Sequence, residues 1–171
     1  TQQHQIGYQY SDNTKLLVSL RLNQERITNE IAVANNGIIV SSEGKESNKD
    51  ANISAAITHR FNNSIKTNAK FYATTFTGEQ DLATTSGSPY TDYFRQRFLK
   101  YESQTDFIVS KKIETSVGGG YILDRANSTR YDSRESAKEN QVGYAFFQSE
   151  WKPIEKLVVI GGARYDHNAL F

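Results

Sequence analysis

The side chains best suited to bind a ligand lie in residues 88–97, most of which the sequence predicts to be loop. This segment combines Tyr90 and Tyr93 with Arg95 and Arg97. Tyrosine rings stack on planar groups, and guanidinium groups pair with anions. We therefore interpret these four residues as candidate ligand-binding residues. The alternative is a loop whose aromatic side chains simply pack on their neighbours.

The same inspection finds no pattern typical of catalysis or of a metal centre. His4, His59 and His167 fall on three distant predicted strands without ligand spacing. The chain has no cysteine, which excludes thiol catalysis and thiolate metal sites. Residues 118–120 are three consecutive glycines, but no helix follows them, so they do not form a phosphate loop. We predict a protein that is not an enzyme and has neither metal nor cofactor; calcium in the loops stays open.

Composition favours a β-protein with a wet interior. Only 37% of the 171 residues are hydrophobic and the mean hydropathy is −0.64, yet the chain holds ten Tyr, nine Phe and one Trp. Disordered chains are poor in aromatics, and strand-forming residues are abundant here. The net charge is +1 without a long basic patch, which argues against nucleic acid as a partner. No apolar run approaches the length of a membrane helix.

Eight strands are predicted, and their connections alternate between short and long. The predicted strands are residues 4–10, 15–23, 50–61, 64–77, 97–110, 113–125, 139–151 and 157–167. The long connections are residues 24–49, 78–96 and 126–138. Tight turns on one side and long polar loops on the other are typical of an antiparallel up-and-down transmembrane β-barrel.

Side chains alternate between an apolar and a charged face in most of these strands. Charged residues deep within long strands suit a water-filled lumen better than a dry core. For strand 139–151 the pattern does not decide which face is which. The predicted lumen-facing residues are Arg60, Lys66, Lys70, Lys100, Glu102, Asp106, Arg164 and Asp166.

Four aromatic residues lie near the predicted tight turns, one on each strand that leads into a turn. They are Tyr10, Phe61, Phe107 and Trp151. Aromatic rings favour the headgroup zone of a membrane, so a ring of them at one level predicts an interfacial girdle. The alternative is that aromatics are common in any strand.

The orientation of the strands predicts an internal piece of a larger barrel. With tight turns in the periplasm, strand one descends from outside and strand eight returns there. A complete barrel of this class is expected to have its ends in the periplasm. We therefore expect residues 1–171 to be part of one transmembrane β-barrel domain.

The last hairpin carries the most specific sequence pattern. Residues 144–153 read YAFFQSEWKP and residues 157–167 read LVVIGGARYDH. This hairpin resembles the aromatic-x-Gln-x-Glu-Trp-Lys-Pro and Gly-x-Arg-Tyr-Asp hairpin of TonB-dependent outer-membrane receptors, most of all siderophore or cobalamin receptors.

The resemblance implies a 22-stranded barrel in the cell outer membrane, closed by a plug domain. It implies import of a scarce, bulky ligand such as a ferric siderophore, haem or cobalamin. Its implied partners are outer-membrane lipid, the ligand and TonB, the last only through the plug. Neither the plug domain nor a TonB box is visible in the chain. Residues 29–50 are expected to form a small extracellular hairpin or to contact a surface lipoprotein.

Two other functions fit parts of the pattern. One is a self-contained eight-stranded outer-membrane barrel that acts as an adhesin or structural protein, since eight strands can close a barrel. The other is a soluble carbohydrate-binding β-protein. Its inner face should be almost wholly apolar, which the predicted charged face contradicts.

Overall fold

The described chain folds into one antiparallel sheet of eight long strands. The computed structural model describes the backbone of residues 1–35, 38–84, 90–130 and 137–170, and side chains there except at 29–43, 82, 84, 90 and 170. In these ranges no helix is long and apolar enough to cross a membrane. The strands are β1 (Gln2–Ser11), β2 (Thr14–Asn35), β3 (Ile38–Asn62), β4 (Ile65–Thr84), β5 (Tyr90–Ser110), β6 (Ile113–Ser128), β7 (Lys138–Ile154) and β8 (Leu157–Leu170).

Each strand pairs with the strands before and after it in the chain, so the sheet is an up-and-down meander from β1 to β8. Within the described ranges no ladder joins β8 back to β1. Both edge strands are exposed along almost their whole length. Unpaired backbone groups are costly in lipid, so a membrane-embedded sheet of this shape needs further strands at both edges. This open sheet favours a barrel segment over a self-contained eight-stranded barrel.

The strands extend far beyond their predicted ends on the long-loop side. Residues 24–49 are mostly strand, because β2 and β3 stay paired from the Gln24–Lys49 rung up to the Asn35–Ile38 rung. Most of residues 78–96 and several of 126–138 are also strand. The predicted long loops were therefore wrong in extent. The antiparallel pairing within residues 29–50 agrees with the expected hairpin, whose extracellular position stays a prediction. The sequence missed this because most of residues 24–49 lack the alternation of apolar and polar side chains that marks the other strands.

Three of the four tight turns share one local design. Ser11, Asn62 and Ser110 end descending strands, and each side-chain oxygen accepts a hydrogen bond from the backbone N–H two residues later, at 2.8–3.3 Å. These contacts stabilise turns in the way short polar side chains do elsewhere. Just before each of these turns the ladder register shifts, at residues 9–11, 60–62 and 108–110. The bulges add local twist, which helps a sheet to curve.

The register divides the sheet into an apolar face and a polar face. On the apolar face, Ile53 pairs with Leu20 and Ala73, and Leu99 pairs with Ala73 and Leu123. The apolar side chains here are substantially exposed, as a lipid-facing surface requires.

The undecided strand β7 is oriented by the same register. Phe147 pairs with Val117 and Trp151 pairs with Ile113, so both aromatic rings lie on the apolar face. Tyr144 and Phe146 therefore lie on the polar face, as every second residue of a strand does.

The four predicted girdle residues all lie close to the tight turns. Phe107 pairs with Ile65, and Trp151 pairs with Val159, both within the apolar face. Tyr10 and Phe61 lie inside the bulges before their turns. Tyr10, Phe61 and Trp151 are 75%, 62% and 49% exposed, so their rings are available to a surrounding phase. Their role as an interfacial girdle stays a prediction.

Candidate functional site on the polar face

The eight residues predicted to line a lumen share one face of the sheet. Arg60 pairs with Lys66, Lys66 with Asp106, and Lys70 with Glu102. Glu102 pairs with Gly120, Gly120 with Tyr144, and Tyr144 with Asp166. Lys100 and Arg164 lie two residues from Glu102 and Asp166, hence on the same face. The geometry brings five of these groups into two side-chain clusters.

The upper cluster is centred on Tyr144, a buried aromatic side chain with 6% exposure. Its hydroxyl donates a hydrogen bond to Glu102 Oε2 at 2.5 Å, and Lys100 Nζ lies 3.1 Å from the same oxygen. Arg164 Cζ lies 3.9 Å from the centre of the tyrosine ring. Arg164 also binds Asp166 through Nη2, at 2.7 Å from Oδ1. We call these five residues the Tyr144 cluster.

This cluster places two cations over one aromatic ring and pairs each cation with a carboxylate. Charged hydrogen bonds hold Glu102 and Asp166, and the ring holds Arg164 by a cation–π contact. The cationic groups of Lys100 and Arg164 keep part of their surface in water, with side-chain exposures of 38% and 50%. The arrangement is therefore a fixed and overall neutral platform, whose partly exposed charged groups can pair with a polar group that contacts this face.

Glycines on β6 make room for this platform. A Cβ at Gly120 would lie 2.5 Å from Tyr144 Oη, and one at Gly118 would collide with the ring of Phe146. Both rings therefore lie across β6, where a side chain would otherwise stand. The sequence alone indicates only that this glycine run is not a phosphate loop. The signal that identifies its role is a pair of aromatics, Tyr144 and Phe146, directly opposite two same-face glycines.

The lower cluster surrounds Asp106 near the tight-turn end. Asp106 accepts hydrogen bonds from Gln104 at 2.6 Å, Ser116 at 2.7 Å and Asn68 at 3.5 Å. Asn68 in turn accepts one from Thr58 at 2.8 Å. Neutral donors from β4, β5 and β6 thus satisfy this carboxylate, which suits a structural role in the wall.

We expect Tyr144→Phe to destabilise the folded sheet by roughly 1.5–3 kcal/mol, because it removes a hydrogen bond to a half-buried carboxylate. The matched control is Tyr121→Phe. Tyr121 donates to Gln141 at 2.7 Å from the exposed apolar face. A bond between two neutral groups should contribute about 1 kcal/mol. Guanidinium unfolding of both variants in detergent checks the difference; equal losses would contradict a special role for Glu102.

The candidate ligand-binding residues lie on strand β5 and not in a loop. Arg95 and Arg97 precede Leu99 at every second position of β5. Their side chains therefore lie on the same side of the wall as Leu99, beyond the end of its apolar band. Arg95 lies 3.6 Å from Glu79 and 5.4 Å from the centre of the Tyr93 ring. The side chain of Tyr90 lies outside the described residues. A ligand-binding role for Tyr90, Tyr93, Arg95 and Arg97 stays a prediction.

A buried carboxylate instead ties β5 to the end of β6. Asp92 is 7% exposed, and it accepts a hydrogen bond from the Thr129 hydroxyl. Arg130 donates to Asp92 Oδ2 through Nε at 2.8 Å and contacts it through Nη2 at 2.6 Å. The Thr129 hydroxyl, above all, lowers the pKa of Asp92, and Arg130 lowers it further, against the opposing effect of burial. The sequence does not indicate this site, because Thr129 and Arg130 lie 37 and 38 residues after Asp92 in the chain.

The lowered pKa of Asp92 predicts how this connection depends on pH. A carboxyl with a depressed folded pKa stabilises above its unfolded value, near 3.8, and loses that contribution as pH falls through the folded value. The protection factors of the Tyr93 and Thr129 amides, which divide the intrinsic exchange rate by the observed rate, should therefore be constant from pH 7 to about 5 and fall below about 4. Asp92→Asn should exchange faster at pH 7 and show no acid step. An acid step in the variant would assign it to another group.

The three histidines lie apart, as their spacing indicates. His59 Nδ1 lies 2.8 Å from Thr14 Oγ1, and its ring contacts Phe61 edge-on with centroids 4.5 Å apart. Over the described side chains no three His, Asp or Glu groups are arranged to hold a metal ion.

A family model and several solved structures are similar to this chain. The family model described as TonB dependent receptor-like, beta-barrel matches residues 1–171. BauA, the ferric preacinetobactin receptor from Acinetobacter baumannii, is similar in fold, with a TM-score of 0.54 at 9% identity over 87% of this chain. The chain spans 29% of the length of BauA.

Two other outer-membrane structures show weaker similarity. OmpT of Vibrio cholerae gives a TM-score of 0.43 at 9% identity, covering 98% of this chain and 54% of that one. The β domain of the Bordetella autotransporter BrkA gives 0.41 at 11% identity, covering 97% and 77%. No curated protein matches the sequence. With a family model that covers every residue and an open, antiparallel, two-faced sheet, this chain belongs to the TonB-dependent receptor-like β-barrel family.

Proposed function

We propose that this chain is part of the wall of an outer-membrane receptor that imports a scarce, bulky ligand by TonB-dependent transport. The observation that carries the proposal is the charged polar face, with the Tyr144 cluster at its centre, in a chain that the receptor family matches throughout. A dry core does not hold charges in this way, whereas a wet barrel interior does. The chain's function is transport and not catalysis.

In this proposal the polar face lines the interior and contacts the plug domain, through which TonB acts. The apolar face contacts outer-membrane lipid, with Tyr10, Phe61, Phe107 and Trp151 at the periplasmic headgroup level. The ligand is a ferric siderophore, haem or cobalamin. BauA, similar in fold, is a receptor for ferric preacinetobactin, which supports the siderophore class. A surface lipoprotein is a further partner for residues 29–50.

The test is ligand uptake by cells that carry or lack the native receptor containing residues 1–171. Labelled ferric siderophores, haem and cobalamin are offered to cells with and without TonB. We expect one ligand class to accumulate only when receptor and TonB are both present. Accumulation of none of them, or equal uptake without TonB, contradicts the proposal.

An immunoblot of outer-membrane fractions with antibodies to residues 29–50 complements the uptake test. A band several times heavier than 19.3 kDa supports a receptor wall segment. A membrane band at 19.3 kDa supports the small stand-alone barrel. A band found only in the soluble fraction supports the soluble carbohydrate-binding alternative.

A further inference from the structure

An abrupt change from apolar to basic residues crosses the outer side of the wall. Leu99 and Leu123 pair with each other on the apolar face, and two residues further from the tight turns Arg97 pairs with Arg125. The apolar-face positions from Phe107 to Leu99 span nine residues of β5. A tilted strand needs about 9–11 residues to cross the hydrocarbon. The two arginines therefore lie where the hydrocarbon ends and the outer headgroups begin.

These two arginines face each other in the ladder between β5 and β6. Directly paired residues on one face of an antiparallel sheet have Cβ atoms about 4.5–5.5 Å apart, and like charges there destabilise the pair. Both side chains are exposed, and neither forms an ion pair with any residue that the structure describes. Glu139 pairs with Arg125 in register and is the nearest carboxylate on the neighbouring strand, but no ion pair joins the two side chains. The Glu139 carboxylate accepts a hydrogen bond from Gln141 at 2.5 Å.

Other basic residues continue this surface across the neighbouring strands. Lys49 on β3 pairs with Thr77, and Thr77 pairs with Arg95, which lies two residues further from the tight turn than Arg97. Gln24 on β2 is the partner of Lys49, and Arg26 lies two residues beyond Gln24 on the same face. Both Lys49 and Arg26 are exposed. Arg95 differs from the Arg97–Arg125 pair, because Glu79 already partners it at 3.6 Å.

We propose that Arg97 and Arg125 bind a phosphate group of an outer-leaflet lipid headgroup, and that Lys49 and Arg26 extend this basic surface along the headgroup layer. Guanidinium groups donate paired hydrogen bonds to phosphate oxygens, so one phosphate can bridge two opposed arginines. The pair lies on the opposite side of the wall from the Tyr144 cluster, so a transported ligand in the interior does not reach it. The proposal rests on the membrane orientation of the proposed function.

The test measures binding of diphosphoryl lipid A to the purified native receptor containing this segment, in detergent, with dephosphorylated lipid A as the comparison lipid. The variant is Arg97→Gln with Arg125→Gln. The control is Arg21→Gln, which removes one guanidinium charge from the polar face, where Arg21 lies 3.5 Å from Asp50. Near-ultraviolet circular dichroism of all variants checks that the fold is retained.

We expect the double variant to bind diphosphoryl lipid A at least about tenfold more weakly, with Arg21→Gln unchanged, since basic residues at a membrane surface each strengthen such binding severalfold. Wild type should bind dephosphorylated lipid A as weakly as the double variant binds diphosphoryl lipid A. Equal binding by wild type and the double variant overturns the proposal, as does equal weakening in the control. Inorganic phosphate at millimolar concentration should not compete; full competition would indicate a free-phosphate site instead.

These outcomes separate the lipid proposal from the proposed function. A receptor that fractionates with the outer membrane and imports its ligand, but whose double variant binds lipid A normally, refutes only the phosphate site. A protein found outside the membrane refutes the orientation on which both depend.

Discussion

Replacing Gly120 by alanine is expected to destabilise the wall strongly, although it adds only one methyl group. The new Cβ would lie 2.5 Å from Tyr144 Oη and still closer to the carbonyl oxygen of Tyr101. One of these partners is backbone, so moving a side chain does not relieve the whole collision. Overpacking of this kind costs about 1–3 kcal/mol, and we expect the upper end because Tyr144 also holds Glu102 and Arg164.

The matched control is Gly143→Ala on the neighbouring strand. An added Cβ at Gly143 meets no heavy atom within 4 Å. Removing a glycine from a strand reduces the flexibility of the unfolded chain, so this variant should be as stable as wild type or slightly more so. Denaturant unfolding of the native receptor, followed by the gel mobility of its folded form, compares the two. If Gly120→Ala is as stable as Gly143→Ala, the aromatic rings of β7 do not lie over the glycines of β6.

An arginine on the apolar face is the second change expected to have a large effect. Ala55 pairs with Val18 and Phe71, in the middle of the apolar band. Ala55→Arg puts a charge into the hydrocarbon, where lipid-facing arginine costs about 2–4 kcal/mol near the midplane. We expect a much reduced yield of folded receptor in the outer membrane.

The next residue supplies the control for this change. Ala56 is also half-buried, but it pairs with Leu17 and Lys70 on the polar face. Ala56→Arg adds the same side chain to a water-filled interior, where repulsion from Lys70 should cost about 1 kcal/mol or less. Folding assays in lipid vesicles measure both variants. Similar losses for Ala55→Arg and Ala56→Arg would mean that the two faces do not differ in solvent.

Alternation along the chain predicts the two faces of this sheet wherever one face meets lipid. Lys100, Glu102 and Asp106 are separated by even numbers of residues, two and then four. The register confirms that they share the polar face. The rule does not orient β7, because the polar face there carries the aromatic residues Tyr144 and Phe146. Their reason for being there is long-range, since Gly118 and Gly120 on the neighbouring strand accommodate the rings.

The strand ends on the long-loop side are beyond the reach of the same rule. Above the level of Arg97 and Arg125 water contacts both faces, so no alternation marks the continuation of β2, β3 and β5. Backbone pairing alone extends these strands, as between Glu25 and Asn48. Likewise, nothing local marks Asp92 as buried, because Thr129 and Arg130 approach it only after β5 and β6 pair.

Cysteine scanning along residues 99–107 of β5 tests the central claim most directly. The chain has no cysteine, so each single substitution gives a thiol without background from this segment. In the native receptor embedded in vesicles, cysteines at positions 100, 102, 104 and 106 should react with a water-soluble maleimide when the interior is open to solvent. Those at 99, 101, 103 and 105 should react only with a lipid-soluble one. Uniform labelling, or the reverse alternation, would contradict a wall with lipid on one face and a wet interior on the other.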